Sequence, residues 1–173
     1  MCYNRNEVMR MLTKLLRRST CAACRQCCRF DRYDVWEMPL LSRETRALAQ
    51  EVVPEAEYVS RGTDAWIFRV RALDADECFV CPLLDANTGC RLGSEKPFDC
   101  RIWPFCIMEL DGRQVITIAP ICEAMMALPM GTVLSFLKEE LADTIFTYAA
   151  GHPDVVRPYD SLYPILLWKP QEF

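Results

Sequence analysis

The residues Cys21-Ala22-Ala23-Cys24-Arg25-Gln26-Cys27-Cys28 place four cysteines within eight positions. Downstream stand Cys78-x-x-Cys81, Cys90, Cys100, Cys106 and Cys122, so ten of the chain's eleven cysteines lie between residues 21 and 122. Thiols in such groups are natural metal ligands. Eight or more can hold one cluster with ligands to spare, or two sites side by side. Metal can organise a segment that would otherwise be loop. The expected fold is therefore α+β, with a small antiparallel sheet of about three strands, flanking helices and cysteine-rich loops organised around metal.

Backbone geometry divides the first group. On a helix, at about 100° per residue, Cys21, Cys24 and Cys28 share a face and Cys27 projects away from it. In a loop, Cys21, Cys24 and Cys27 instead reproduce the C-x2-C-x2-C spacing that wraps a cubane cluster, leaving Cys28 for a second site. Either way, three cysteines converge and one departs. A single tetrahedral zinc is satisfied by Cys24 and Cys27 with Cys78 and Cys81, which leaves seven cysteines over. His152 is the only histidine and stands in a Pro-rich stretch, which excludes any multi-histidine site and reads as a solvent-facing loop residue. Thiolate softness does not separate zinc from iron-sulfur. Arg25, Arg29, Arg91 and Arg101 stand beside cysteines, where positive charge offsets a thiolate-ligated cluster; Arg25 and Arg101 are the candidate cofactor contacts. Phe30, Phe79, Phe98, Trp103 and Phe105 are candidates to keep water from it, or simply core.

The rest of the composition bounds the answer. With 173 residues, 51% hydrophobic and 25% charged, the chain suits one domain over 1–173 with its own core, the cysteines occupying 21–122 and a helix and Pro-rich tail occupying 130–173. A net charge of −4 argues against nucleic acid, which calls for a basic face. The first 33 residues are basic and the next stretch acidic, which reads as two solvated faces. No apolar run is long enough to span a bilayer, and the expected location is cytoplasmic, where thiols stay reduced. There is no Gly-rich phosphate loop and no base for a serine-type triad beyond His152.

Periodicity supplies the elements. Val8, Met11, Leu12, Leu15 and Leu16 predict an amphipathic helix over 6–18. Ser42 caps a helix from about Arg43 to Val52, ended by Pro54. Alternation from Trp66 to Leu73 predicts a strand, and Phe105–Leu110 with Gln114–Ala119 flank Asp111-Gly112 as a hairpin with a positive-φ turn. Val133, Leu137, Leu141, Ile145 and Tyr148 predict a helix over 132–149. From His152 onward, Pro153, Pro158, Pro164 and Pro170 predict an extended strap over the surface.

The motif set, taken together with Cys81-Pro82-Leu83-Leu84, Cys90, Lys96-Pro97-Phe98-Asp99-Cys100-Arg101-Ile102-Trp103-Pro104-Phe105 and Cys122, resembles the YkgJ-type cysteine-cluster family, described as a zinc- or iron-chelating domain. The resemblance spans residues 21–122. It implies Cys21, Cys24, Cys27, Cys28, Cys81, Cys90, Cys100 and Cys122 as ligands. The family's usual glycine after the second cysteine is Arg25 here, which removes a flexible residue. Cys78 and Cys106 look like additions able to supply a further ligand set. A similar cluster occurs in flagellin lysine methylases, which implies that the family supports chemistry with S-adenosylmethionine.

Two functions are therefore expected to compete. One is a protein holding one or two [4Fe-4S]-type clusters, with an open iron site for redox or S-adenosylmethionine-dependent chemistry on a protein or small-molecule substrate. The other is a closed site, either an electron-carrying cluster or Zn2+ in a structural or interaction module.

Overall fold

A computed structural model describes residues 12–31, 33, 37–71 and 79–171. Cys2, Cys78 and most of the predicted helix over 6–18 lie outside the described residues. Of that helix, Leu12 to Leu16 form one turn, with Leu16 N–H donating to Leu12 O at 2.9 Å and both leucines buried.

The described residues form a mixed α+β chain. Its helices are α1 (Arg18–Cys24), α2 (Arg43–Val52), α3 (Phe98–Ile102), α4 (Glu123–Met126), α5 (Met130–Phe136) and α6 (Ala142–Gly151). The main sheet contains β7 (Phe105–Leu110), β8 (Arg113–Ile118), β9 (Arg157–Pro158) and β10 (Ile165–Trp168), in the order β10-β8-β7-β9. Shorter antiparallel pairs join β1 (Arg29–Phe30) to β4 (Phe79–Val80), β2 (Glu57–Ser60) to β3 (Trp66–Arg69) and β5 (Leu84–Asp85) to β6 (Gly89–Cys90).

The hairpin forms where Asp111 and Gly112 adopt φ of 51° and 73°, the left-handed pair that matches the twist of a two-residue turn. Alternation along β7 sends Phe105 and Ile107 into a helical core with Val133, Leu137, Leu141 and Ile145, while Cys106 and Met108 face the opposite side with Val115. Helix α2 also forms as its sequence predicts. Ser42 Oγ accepts from Thr45 N–H, and Arg46 extends over the Tyr58 and Trp66 rings, packing α2 on the β2-β3 ladder.

The long C-terminal helix contains a feature that its apolar spacing encodes. Val133, Leu137, Leu141 and Ile145 recur every four residues and are all fully buried. On a regular helix each such step drifts by about 40°, so the stripe would leave the core within a few turns. A π turn at Leu137–Leu141 joins α5 to α6 and absorbs the excess.

Two expectations need correction. The expected antiparallel pairing joins β10, β8 and β7, but the sheet has a fourth strand, β9, which pairs with β7 in parallel. The Pro-rich tail does not merely strap the surface, because it supplies both edges of that sheet. Leu166 and Leu167 pack against the helical core, and the prolines fall where no ladder N–H is required: Pro158 in an edge strand and Pro164 just before β10. The strand predicted over 66–73 pairs over 66–69 with residues 57–60, apart from the hairpin.

Candidate metal centre

Nine cysteines fall among the described residues, and none is in a disulfide. Eight of them come together, from six short segments. Helix α1 carries Cys21 and Cys24. It ends because Arg25 takes the left-handed conformation, φ 56° and ψ 10°, with its N–H bonded to Cys21 O. That residue turns the chain into a 3-10 turn, Gln26–Cys28, and swings Cys27 back toward the residues of α1. Neither backbone predicted for this stretch, all helix or all loop, occurs; the chain uses one and then the other.

Cys81 follows β4 and is fixed by its N–H, which donates to Cys28 O at 2.9 Å. Cys90 ends the β5-β6 pair, whose turn is fastened by Asp85: its carboxylate accepts from Asn87 N–H at 2.9 Å and from Thr88 N–H at 2.8 Å. Gly89 adopts φ +84°, a conformation that favours glycine, and a Cβ there would meet Ala22 of α1 only at 3.9 Å, so the backbone turn rather than close approach calls for glycine. Cys100 stands on α3, and Cys122 precedes α4.

A cavity of about 490 Å³ is lined by Cys21, Cys27, Cys28, Cys81, Cys90 and Cys100, with Arg25, Lys96 and Arg101. Cys24 and Cys122 stand beside it. Cys21, Cys24 and Cys27 all raise the Cys122 thiol, while Cys81, Cys27 and Cys90 raise Cys100. The thiols thus fall into two overlapping neighbourhoods, Cys21, Cys24 and Cys122 on one side and Cys81, Cys90 and Cys100 on the other, with Cys27 common to both. The Cys28 thiol hydrogen-bonds Cys27 and pushes its ionisation up, ahead of burial. Among the described residues no three Cys, His, Asp or Glu side chains are grouped to hold a metal ion, and six of the thiols line the cavity wall.

Burial raises Cys21, Cys81 (to about 12), Cys90, Cys100 and Cys122. Other groups pull the opposite way. Backbone N–H groups of Leu83, of Leu92 and Gly93, and of Met125 favour the thiolates of Cys81, Cys90 and Cys122 respectively. Lys96 favours ionised Cys21, Cys27, Cys90 and Cys100. Amides and an ammonium facing sulfur suit thiolates, the form in which cysteine binds metal.

The sequence-predicted residues sort as follows. Cys106 stands apart in β7, 5% exposed, with its thiol raised to about 12 by burial, against the pull of Arg157 and with a further push from Asp99; no other cysteine acts on it. Arg25 and Arg101 both line the chamber. Arg25 Nη1 donates to Ala86 O at 2.7 Å, bracing α1 against the β5-β6 turn, and Arg101 is buried with its guanidinium 5.5 Å from the Phe98 ring. Arg91 faces away, bonding Val52 O. Phe30 and Trp103 line the chamber, while Phe105 belongs to the helical core. Phe98 stacks on Tyr148 at 3.7 Å, and exposed His152 stacks on Tyr148 in turn. Sequence reasoning passed over Lys96. Its signal was its place directly before Pro97 and the helix of Cys100, but only the fold brings its ammonium to four thiols.

No protein family, curated protein or solved structure matches the chain. Among the described residues no helix is long and apolar enough to cross a membrane.

Proposed function

We propose that the chain holds one or two cysteine-ligated iron-sulfur clusters, of the [4Fe-4S] type, in the chamber around Cys27. The observation that carries this reading is that six thiols from five segments line one chamber, with Cys24 and Cys122 beside it. These are the same eight that the resemblance to the YkgJ-type family implied. An all-thiolate donor set suits iron-sulfur or zinc, and thiols spread along a wall suit a polynuclear cluster better than a single ion, whose four sulfurs must each lie about 2.3 Å from it. The two neighbourhoods accommodate two four-thiolate sets if Cys27 serves one and Cys28 the other.

Such a cluster supplies one-electron chemistry, and an iron left open by one missing thiolate supplies a position for substrate or S-adenosylmethionine. The chain's own groups do the rest. The N–H groups at Cys81, Cys90 and Cys122 hold thiolates, Lys96 and Arg101 offset their charge, and Phe30 and Trp103 exclude water.

One observation favours a structural zinc instead. The chamber lies at the seam between two hydrophobic clusters, with Cys28, Cys81 and Cys90 belonging to one and Cys122 packed on the other, so any metal here also staples the fold. Iron, zinc and acid-labile sulfide per chain, measured on protein purified without oxygen, separate the readings. About four or eight irons with matching sulfide supports one or two cubanes. Zinc without sulfide overturns the iron-sulfur reading and leaves the structural one.

A further inference from the structure

Three aromatic rings stand one on another between the helix of Cys100 and the surface. Phe98, on α3 two residues before Cys100, is buried and lies flat on Tyr148 of α6, with ring centroids 3.7 Å apart and planes 8° apart. Tyr148 is half-buried and stacks in turn on His152, centroids 4.2 Å apart and planes 23° apart. Two rings so close to a third cannot share one of its faces, so Tyr148 lies between the other two. His152, whose N–H donates to Tyr148 O at 2.9 Å, is exposed. Exposure thus rises from ring to ring outward. At the inner end the Arg101 guanidinium lies 5.5 Å from the Phe98 ring, and both Arg101 and Cys100 line the cysteine chamber.

Packing alone does not call for this arrangement. Aromatic pairs prefer offset or edge-to-face contact with centroids about 4.5–7 Å apart, because facing rings oppose like quadrupoles. Tyr33 with Phe79 and Tyr58 with Phe68 follow that preference, at 5.7 and 5.3 Å with planes 35° and 34° apart. The Phe98, Tyr148 and His152 rings are closer and flatter. What a flat stack supplies is overlap of π orbitals. Electron tunnelling weakens exponentially with distance, and less steeply through overlapping π systems than across gaps between saturated side chains. A centre beside Cys21 and Cys24, both exposed, meets solvent directly; Cys81 is buried and Cys100 half-buried, and the stack begins on the helix of Cys100.

We propose that Phe98, Tyr148 and His152 carry single electrons between a cluster held at Cys81, Cys90 and Cys100 and a one-electron carrier at the surface beside His152. This rests on the iron-sulfur reading given above. In each transfer the reduced cluster loses one electron and the carrier gains it; no ring is itself oxidised, so no proton moves.

The sole histidine provides the test. A ruthenium polypyridyl complex coordinated to His152 is converted to ruthenium(III) by flash and quencher, and its one-electron reduction by the reduced cluster is timed on the full chain purified without oxygen. Iron, sulfide and reduction potential are measured on the same sample. Tyr148→Leu should slow the transfer about tenfold with all three unchanged, whereas Tyr148→Phe, which keeps the stack, should keep the rate. Phe146→Leu, in the same helix and core but outside the stack, should also leave it within about twofold. Should Tyr148→Leu fail to fold, Phe98→Leu breaks the stack one ring further in and should slow the transfer likewise. A rate indifferent to loss of either stacked ring, or slowed equally by Phe146→Leu or by Tyr148→Phe, overturns the route while the iron-sulfur reading stands. Zinc in place of iron and sulfide removes that reading and the route with it.

Discussion

Arg157 and Asp99, 58 positions apart, form an ion pair at 2.7 Å with side chains only 5% and 12% exposed, and Asp99 immediately precedes Cys100. The same carboxylate oxygen accepts from Leu40 N–H at 3.1 Å, and Arg157 Nη2 also reaches Met38 O at 3.4 Å. The pair thus binds the tail strand β9, the segment before α2 and the helix of Cys100. Removing one partner of a buried pair costs about 3–5 kcal/mol, because the other charge is left uncompensated. Arg157→Met is expected to lose about that much in denaturant unfolding. Asp99→Asn added to it should recover part of the loss, and an additive double variant would show the pair to be uncoupled.

Arg25 occupies a backbone conformation that favours glycine. A non-glycine residue there costs about 1–2 kcal/mol, while the bond from its side chain to Ala86 O returns roughly 0.5–1.5 kcal/mol. Arg25→Gly removes strain and clamp together and should be close to neutral in thermal unfolding. Arg25→Ala keeps the strain and loses the clamp, so it should be clearly less stable than both. If alanine matched glycine, the left-handed turn would not be the source of the cost.

The elements written in short-range pattern were legible: Ser42 at the head of α2, the Asp111-Gly112 turn, and the apolar stripe from Val133 to Ile145. What escaped was pairing between distant segments. Nothing local in Arg157 points to Asp99, and prolines at 158 and 164 suggest loop until the sheet shows them at its edges. The grouping of the thiols was half legible. Counting singled out the cysteines, but separating Cys106 from Cys100 required knowing that β7 turns alternate side chains to opposite faces.

That alternation yields a discriminating substitution. Cys106→Ala should leave metal content unchanged, whereas Cys27→Ser, at the junction of both thiol neighbourhoods, should lose most of it. Titration adds a second signature. Cys106 and Tyr163 are each raised to about 12, above unfolded values near 9 and 10. Their neutral forms stabilise the fold fully below those unfolded values, and the contribution is lost as pH rises from about 9 through about 12. Cys106→Ala with Tyr163→Phe should flatten the fall in melting temperature across that range; an unchanged slope would mean that other groups control it.

Acid acts on a different element. Asn87 N–H and Thr88, through its N–H and hydroxyl, hold the Asp85 carboxyl below its usual range, although the group is exposed. A depressed pKa contributes stability above the unfolded value near 3.9, lost as pH falls through the lower folded value. The turn presenting Cys90 should therefore resist limited proteolysis at pH 5 and open below about pH 4. Asp85→Ala should show the acid-exposed pattern already at pH 7. Cleavage that ignored both pH and substitution would show the turn to be held by other contacts.

Lys96 is the residue through which charge reaches the chamber as a whole, since its ammonium favours the ionised forms of Cys21, Cys27, Cys90 and Cys100. Reduction adds an electron to a centre already negative from its thiolates, and a nearby cation lowers the energy of the reduced form more than that of the oxidised form. Lys96 is half-buried, so salt screens it only in part. With an iron-sulfur cluster bound, Lys96→Met should move the reduction potential to a more negative value in a spectroscopically followed redox titration. Lys138→Met, at an exposed position in the C-terminal helix, should leave it unchanged. A shift in both would indicate general surface charge, and a shift in neither would place the cluster beyond the reach of Lys96, on the side of the chamber nearer Cys24 and Cys122.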